Sequence, residues 1–448
     1  MAYTTVDDPE LYFQTKIWTG NGASSRSHTF DGTSDMQPDW VWIKDRDQNN
    51  NHQTFDSVRG VTKTLQTDRD IAEGTVASML TAFGSDGFTT GDHSSMNDNN
   101  VKYASWSWKA GTAFSNDASA TSIGTIDSSG SVNDTAGFSI VIRTGTGSAG
   151  TIKHGLSTVP KMIITKMRND AESWGVYNVI IGNTKYLKLD STEAEDSSSG
   201  VWNDTTPTTS VFSVGNSALV NGSSKTYVDY VFSEIKGYSK FGKYIGNGNA
   251  DGTFAFLGFK PAFVMVRDPG NAENWLMYDN KRPGYNLNNN HFFANASDVE
   301  TASSANTMDL LSTGFKVRSS NNGLTGWAKI GTGMTESSGV FSFPRTGLYS
   351  VRAHASFILT TDDTGCKFQT YVTLNNSSYS QVAEATSGIT DSTSTVQGAY
   401  SESLVNVTDI SNVKVKFVLA SAGTDNGMYG SNSFQRTGVF FERKGVSQ

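Results

Sequence analysis

The chain has 448 residues and a single cysteine, Cys366. One thiol cannot form an internal disulfide, so the fold must rest on packing and hydrogen bonds, as in a protein made in a reducing cytoplasm. Charged residues are few, 17% of the chain, and the net charge is −8. That leaves no basic face to displace counterions from nucleic acid, and no patch for an anionic membrane. No stretch of about 18 apolar residues occurs, so no membrane insertion is expected. The opening, from Met1 to Pro9, lacks the positive and apolar regions of an export signal. Six histidines, at 28, 52, 93, 154, 291 and 354, show no metal-ligand spacing, and neither a metal nor a cofactor is expected. Proline is scarce too, at 8 residues. Glycine, at 44 residues, is abundant with Ser, Thr and Asn, and aromatics reach 11%. This is the composition of an all-β protein with many turns.

One glycine-rich stretch, from Tyr244 to Gly252, invites a phosphate-loop reading. Such a loop opens into a helix whose free N–H groups face the anion. Here the chain continues into the short aromatic run Thr253 to Pro261, which reads as a strand. The same phrase also recurs, as Thr19-Gly-Asn-Gly22, Thr144-Gly-Thr-Gly147 and Ile245-Gly-Asn-Gly248. It is therefore read as a turn that marks a repeat, with glycine supplying positive φ.

The register extends well beyond the glycines. Pro38, Pro160 and Pro261 each start an apolar strand, with Lys44, Lys166 and Arg267 at one spacing after them. The rings His52, Trp174 and Trp275 follow, then Asp56, Asn178 and Asp279. Two of these begin Asp-x-x-Arg, ending at Arg59 and Arg282. Glu73, Glu195 and Glu300 come next, then the aromatic strands at Phe88, Phe212 and Phe315. Asn97 with Tyr103, Asn221 with Tyr227 and Asn321 with Trp327 close the units. Three tandem units of roughly 100 residues result. Strands with one apolar face must bury it against a second sheet, so each unit is expected to be β-sandwich-like.

Other segments fall outside this register. Residues 112–136 are rich in Ser, Thr, Asp and Gly and read as a linker. Units two and three are joined closely through Tyr238 to Gly242, which suggests a rigid pair. After Trp327 the pattern changes. Tyr349, Val351, Ala353, Ala355, Phe357 and Leu359 alternate along one strand face. About 120 residues of evenly spaced strands predict a jelly roll. The expected division is 1–16 as an attachment segment, 17–111, 137–242 and 243–325 as repeats, 112–136 as linker, and 326–448 as the jelly roll.

Catalysis finds little support. A glycosidase needs two carboxyl groups roughly 5–10 Å apart. Asp56 with Glu73 and Asp279 with Glu300 recur in register, and recurrence favours structural ion pairs with the nearby arginines over chemistry that is needed once. Cys366 has no positioned histidine, and Asp362 with Asp363 is too small a set for calcium. No catalytic, cofactor or metal residue is therefore assigned. Trp40 and Trp42, like Trp106 and Trp108, place two rings on one strand face. Core packing is the ordinary reading, and a sugar-stacking platform is the alternative.

Several phrases carry a resemblance: Met36 to Lys44, Phe55 to Gly60, Ser85 to Phe88, Gly237 to Gly242, Gly314 to Arg318, and the opening Met1 to Phe13. They resemble tandem-repeat tail-fibre or tail-associated proteins of marine bacteriophages, across residues 1–325. Phe341 to Tyr349, with the aromatic strand near Phe440, resembles the complement and tumour-necrosis-factor type of jelly roll. The closing Trp327-Ala-Lys-Ile330 departs from the expected tyrosine-rich strand. The resemblance implies a virion component, a tail fibre for host attachment and not an enzyme, assembled as a homotrimer. Tyr3, Leu11, Tyr12 and Phe13 are the candidate docking residues toward other virion proteins. A host receptor or glycan would be met by loops of the jelly roll. A capsid-attached fibre, a decoration protein or a polysaccharide depolymerase are the alternatives.

Overall fold

The computed structural model describes residues 4–246, 251–304, 306–318, 335–337, 340–343, 346–359, 363–389, 395–420, 427–428 and 438–445. The architecture is all-β and sandwich-like, and it divides into two compact units, Met1–Gly326 and Trp327–Gln448.

In the first unit each repeat has a longer inner sheet and a short outer sheet. Repeat one orders its inner strands Phe13–Thr19, Lys102–Trp108, Trp40–Asp45 and Gln53–Asp56. Its outer sheet holds Arg26–His28, Gly87–Thr90 and Leu80–Gly84. Repeat two has Phe138–Thr144, Thr226–Ser233, Pro160–Met167 and Gly175–Asn178 at the centre of its inner sheet. Its outer pair is Gly150–Lys153 with Val211–Val214. Repeat three pairs Phe263–Val266 with Leu276–Asp279, and covers them with Phe254–Phe256, Gly314–Val317 and Met308–Leu311.

The strand Trp40–Asp45 explains how these layers stack. Val41 and Ile43 face the outer sheet and join Phe55, Leu80, Phe88 and Tyr103 in the sandwich core of repeat one. Trp40 and Trp42 face the other way, into a second core. All six residues of this strand are buried. Repeats two and three behave alike. Ile163 and Val264 fill their own sandwiches, whereas Ile164, Tyr230, Met277 and Phe292 enter the same second core as the tryptophans. A strand buried on both faces reads as a continuous apolar run, which accounts for Trp-Val-Trp-Ile and Met-Ile-Ile. The three inner sheets thus share one core, and three sandwiches close around it.

Two expectations are corrected. Residues 112–136 are not a linker. Thr112–Asn116 and Ser128–Asn133 pair antiparallel with each other, and Ser128–Asn133 continues onto Phe138–Thr144. Few apolar residues suffice, because backbone bonds hold these two strands at the end of the sheet and only Phe114, Val132 and Ile126 reach the core of repeat two. Gly130 is required there, since a Cβ would lie 1.9 Å from the Ile140 carbonyl oxygen. The attachment segment 1–16 likewise overlaps the fold. Phe13 opens the first strand opposite Trp108, as Phe138 opens its counterpart opposite Phe232.

The second unit is a two-sheet antiparallel sandwich. One sheet contains Val340–Ser342, Lys414–Ala420, Asp363–Thr373 and Tyr379–Ile389. The other is built on Gly347–Leu359, paired with Thr395–Val407 on one side and Gly438–Gly445 on the other. Tyr349, Val351 and Ala353 are buried on one face as the alternation requires. The side chains of Ala355, Phe357 and Leu359 lie outside the described set. So does the closing segment Trp327 to Ile330.

The shared core gives a first prediction. Trp40 is 1% exposed and stacks on Tyr230 of repeat two, with centroids 4.2 Å apart. Trp40→Ala should cost about 3–5 kcal/mol in urea denaturation. The loss should register in one cooperative transition of all three repeats, rather than in repeat one alone.

Candidate functional site

The positions that recur in the sequence converge on the junctions between repeats. The ring residues come first. Trp174 Nε1–H donates to the Gln66 carbonyl of repeat one at 2.8 Å. Trp275 Nε1–H donates to Lys188 O of repeat two at 2.9 Å. His52 Nε2 lies 3.0 Å from Phe293 O of repeat three, while its Nδ1 accepts from Trp42 Nε1–H at 2.8 Å. The second bond fixes the tautomer, so Nε2 carries the proton and donates. Repeat two therefore leans on one, three on two, and one on three.

The glutamates follow the same cycle. Glu73 N–H donates to Arg168 O, Glu195 N–H to Pro269 O, and Glu300 N–H to Arg46 O, at 2.7, 2.7 and 2.9 Å. Arg168 returns two bonds to the Glu73 carboxylate, at 3.0 and 3.1 Å, and Arg46 does the same to Glu300. At the third junction Pro269 stands in place of the arginine, and Glu195 pairs with Lys185 of its own repeat. The cations complete the set. Lys166 Nζ donates to Asp70 O at 2.9 Å, and Arg267 to Ser191 O at 2.6 Å. Lys44 is fully buried against Asp45 and Gln48 O, with Phe292 of repeat three 5.6 Å away. Three head-to-tail junctions of one kind close a ring of approximate threefold symmetry.

The Asp-x-x-Arg pairs occupy the heart of this arrangement. Arg59 and Asp56 are fully buried partners, and Arg59 also reaches Glu73 at 2.9 Å. Tyr230 of repeat two donates its hydroxyl to Asp56 at 2.8 Å. Arg282 and Asp279 repeat the pair, with Trp106 of repeat one donating to Asp279 at 3.1 Å. Burial works against the Arg59 charge, but Asp56, Tyr230 and Glu73 more than offset it and hold its pKa above the ordinary value. Burial alone would raise Glu73 and Asp279, yet Arg168 with Arg59, and Arg282, hold them below the usual carboxylate range. These carboxylates are committed anions, not proton donors.

Two other carboxylates behave differently. Asp68 accepts from the His52 backbone N–H at 3.2 Å, and Asp190 from that of Trp174 at 3.0 Å. Asn295 does the same for Trp275 at 2.8 Å. Burial pushes Asp68 up to about 7 and raises Asp190, while it lowers Lys166 to about 8. A polar cavity of about 290 Å³ opens beside Asp68, Asp190, Lys188 and Ser173. Its carboxylates act as caps for the ring residues. Among the described residues no three His, Cys, Asp or Glu side chains are grouped to hold a metal, and no helix is long and apolar enough to cross a membrane.

The glycine phrases are turns. Gly22 and Gly147 have φ of 67° and 72°, and their N–H groups donate to Asn97 O and Asn221 O, both at 2.8 Å. The Asn97 and Asn221 side chains clasp the same loops through Asn21, Ala23, Thr146 and Ser148. The donors a phosphate would need are already engaged. Residues 247–250 of the third phrase lie outside the described set.

The sugar-stacking alternative is corrected. Trp40, Trp42 and Trp106 are at most 1% exposed, and the half-buried Trp108 packs on Phe13, Trp40 and Phe263. Rings that face the shared core present no platform to solvent. Of the docking residues, Tyr3 lies outside the described set. Leu11 ends the short turn Pro9–Leu11, Tyr12 meets Tyr238 edge-on, and Phe13 joins the shared core. Phe13 is thereby removed from any docking surface. The Cys366 side chain is outside the described set.

Sequence reading missed Arg46 and Arg168, although their equal spacing behind the basic residue was the available signal. It also missed the buried pair Arg143–Asp229, joined by Thr165, which among the described residues only repeat two contains.

These junctions define a closed all-β unit made of three like sandwiches, and its extent agrees with a family boundary. The chain belongs to the family described as Domain of unknown function (DUF7483), which matches residues 8–335. No curated protein matches the sequence. Among solved structures it is similar to the N-terminal CBM22-1–CBM22-2 tandem domain of Xyn10C from Paenibacillus barcinonensis. The identity is 8%, over 74% of this chain and 92% of that one, with a TM-score of 0.19.

Two predictions concern these ion pairs. Asp56→Ala or Asp279→Ala strips a buried arginine of its fully buried carboxylate partner, leaving only Glu73 or Glu300, and should cost about 3 kcal/mol in chemical denaturation. The pH dependence has a definite sign. Burial holds His28 neutral, at about 3, and His154 at about 4, and Glu73 stays below its usual value. The unfolded chain therefore binds more protons in acid, and stability should fall as pH drops from about 6.5 towards 3. Asp68 acts oppositely, because its raised pKa makes the folded state bind the extra proton between about 4 and 7. Asp68→Asn, the natural choice at Asn295, should raise the melting temperature at pH 8 and leave it nearly unchanged at pH 4.

Proposed function

We propose that this protein is a non-catalytic structural component of a bacteriophage virion, a tail fibre or related appendage for host attachment. The observation that carries the reading is the use of the recurring side chains. The rings, the basic residues and the glutamates repeated in register are engaged in joining one repeat to the next. The carboxylate pairs that a depolymerase would need are bound to buried arginines. Such an arrangement supports a stiff, non-catalytic scaffold. The motifs from Met36 to Lys44 and from Gly237 to Gly242 supply the phage attribution.

In this reading the segment ahead of Tyr12 faces the particle. The second unit trimerises and meets the host receptor through its loops, where many weak contacts add up by effective concentration. Immunogold labelling of intact particles with antibody to residues 4–318 tests the assignment. Label on tails is the expected result. Label on heads would make it a capsid fibre or decoration protein instead. Reducing ends released from host polysaccharide by the purified chain would overturn the non-enzymatic part.

A further inference from the structure

The three repeats act as internal controls for one another, and one surface breaks their likeness. Among the described residues of the first unit, the exposed large apolar side chains are Ile180, Phe254, Phe256, Tyr285, Leu287 and Val299. Four of these six belong to the outer sheet of repeat three or run beside it. Phe254 and Phe256, 43% and 64% exposed, flank Ala255 on the edge strand Phe254–Phe256. Tyr285 and Leu287 flank Asn286, whose side chain is bonded to both backbone groups of Leu310 on the far strand of that sheet.

Register identifies the matching positions. Ala255 pairs with Phe315 as His28 pairs with Phe88 and Ile152 with Phe212. The flanking residues are Ser27 and Thr29 in repeat one, and Thr151 and Lys153 in repeat two. Only repeat three places two phenylalanines there.

The backbone edge differs as well. Repeat two covers its edge with its own chain. Thr125 N–H and Ile126 N–H donate to Thr151 O at 2.8 and 3.1 Å, and Thr125 Oγ1 accepts from Thr151 N–H at 2.8 Å. Ile126 bridges Ile152 in parallel and buries its side chain in the sandwich core. Repeat one places Arg26 on its edge, a charge that discourages pairing. From Thr253 to Leu257 there is neither charge nor proline, and no described residue pairs with the outer side of this strand. Phe254 O stands where Thr151 O stands, without the covering segment.

We propose that the strand Phe254–Phe256 is a strand-addition site for an extended, uncharged segment of another protein. The segment runs parallel to it, donates N–H groups to Phe254 O, and lays apolar side chains over Phe254 and Phe256. The occupant is a different chain, not a second copy. Two copies related by a twofold axis would pair this strand with itself antiparallel, whereas the covered edge of repeat two is parallel. The inference does not depend on the virion reading.

The test titrates the full chain with a labelled peptide copying residues 122–128, with valine in place of Thr125 and Asp127, read by fluorescence anisotropy. Saturable binding with Kd of about 0.1 mM or tighter is expected. The double variant Phe254→Ser, Phe256→Thr, which installs the residues of repeat one, should weaken it at least about tenfold, with an unchanged melting temperature. Absence of saturation by about 1 mM overturns the proposal, as does equal binding by the variant. A clearly lowered melting temperature in the variant would show the face already covered by this chain and also overturns it. Sedimentation showing a dimer that the double variant abolishes would assign the site to a second copy, against the proposal.

Discussion

The structure of residues 4–318 depends on one constraint: each inner sheet is apolar on both faces. One face is covered by the outer sheet of its own repeat. The other can leave water only against the inner sheets of the remaining two repeats. Each buried side chain of this size is worth about 1.5–3 kcal/mol relative to exposure. The shared core contains Trp40, Trp42, Trp106, Trp174 and Trp275, so a repeat standing alone would expose far more apolar surface than a stable domain tolerates. Closure follows from that demand, and the polar contacts at the junctions determine how it is met.

Those polar contacts confer order more than they confer net stability. A buried ion pair recovers much of its desolvation cost only when hydrogen bonds satisfy its remaining atoms. Arg59 meets that condition with Asp56, Glu73, Lys63 O and Thr54 O, and Arg282 meets it in a similar way. Each pair also takes a bond from an aromatic side chain of the neighbouring repeat. A repeat that slipped along its neighbour would leave a carboxylate or an indole unsatisfied, so register across the junction is selected strongly.

Much of this was legible in the sequence, in an uneven way. The triple register of Lys44, His52, Asp56 and Glu73 was visible because junctions of one kind need one set of side chains three times. The burial of Trp40 and Trp42 followed from alternation. Their partners were invisible, since spacing within a repeat carries no information about which neighbour a side chain reaches. Asn178 was the best clue. Asp56 and Asp279 each accept a hydrogen bond from an aromatic donor in a neighbouring repeat's closing strand, Tyr230 or Trp106. Asn178 has Ile181 where Asp56 has Arg59 and Asp279 has Arg282, so with no cation to pair at that spacing the charge is replaced by a neutral amide. The strands of 112–133 were hidden for another reason: strands held mainly by backbone bonds at the end of a sheet can be written in serine and glycine, the residues of a flexible connector.

A ring assembled from separate subunits dissolves when its concentration falls below the dissociation constant of its interfaces. Here the three blocks lie on one polypeptide, so each finds its neighbours at a local concentration set by the connecting chain, whatever the surrounding dilution. Covalent linkage also limits the count to three. A head-to-tail contact that could otherwise propagate into an open filament is used up within the ring once the third block meets the first.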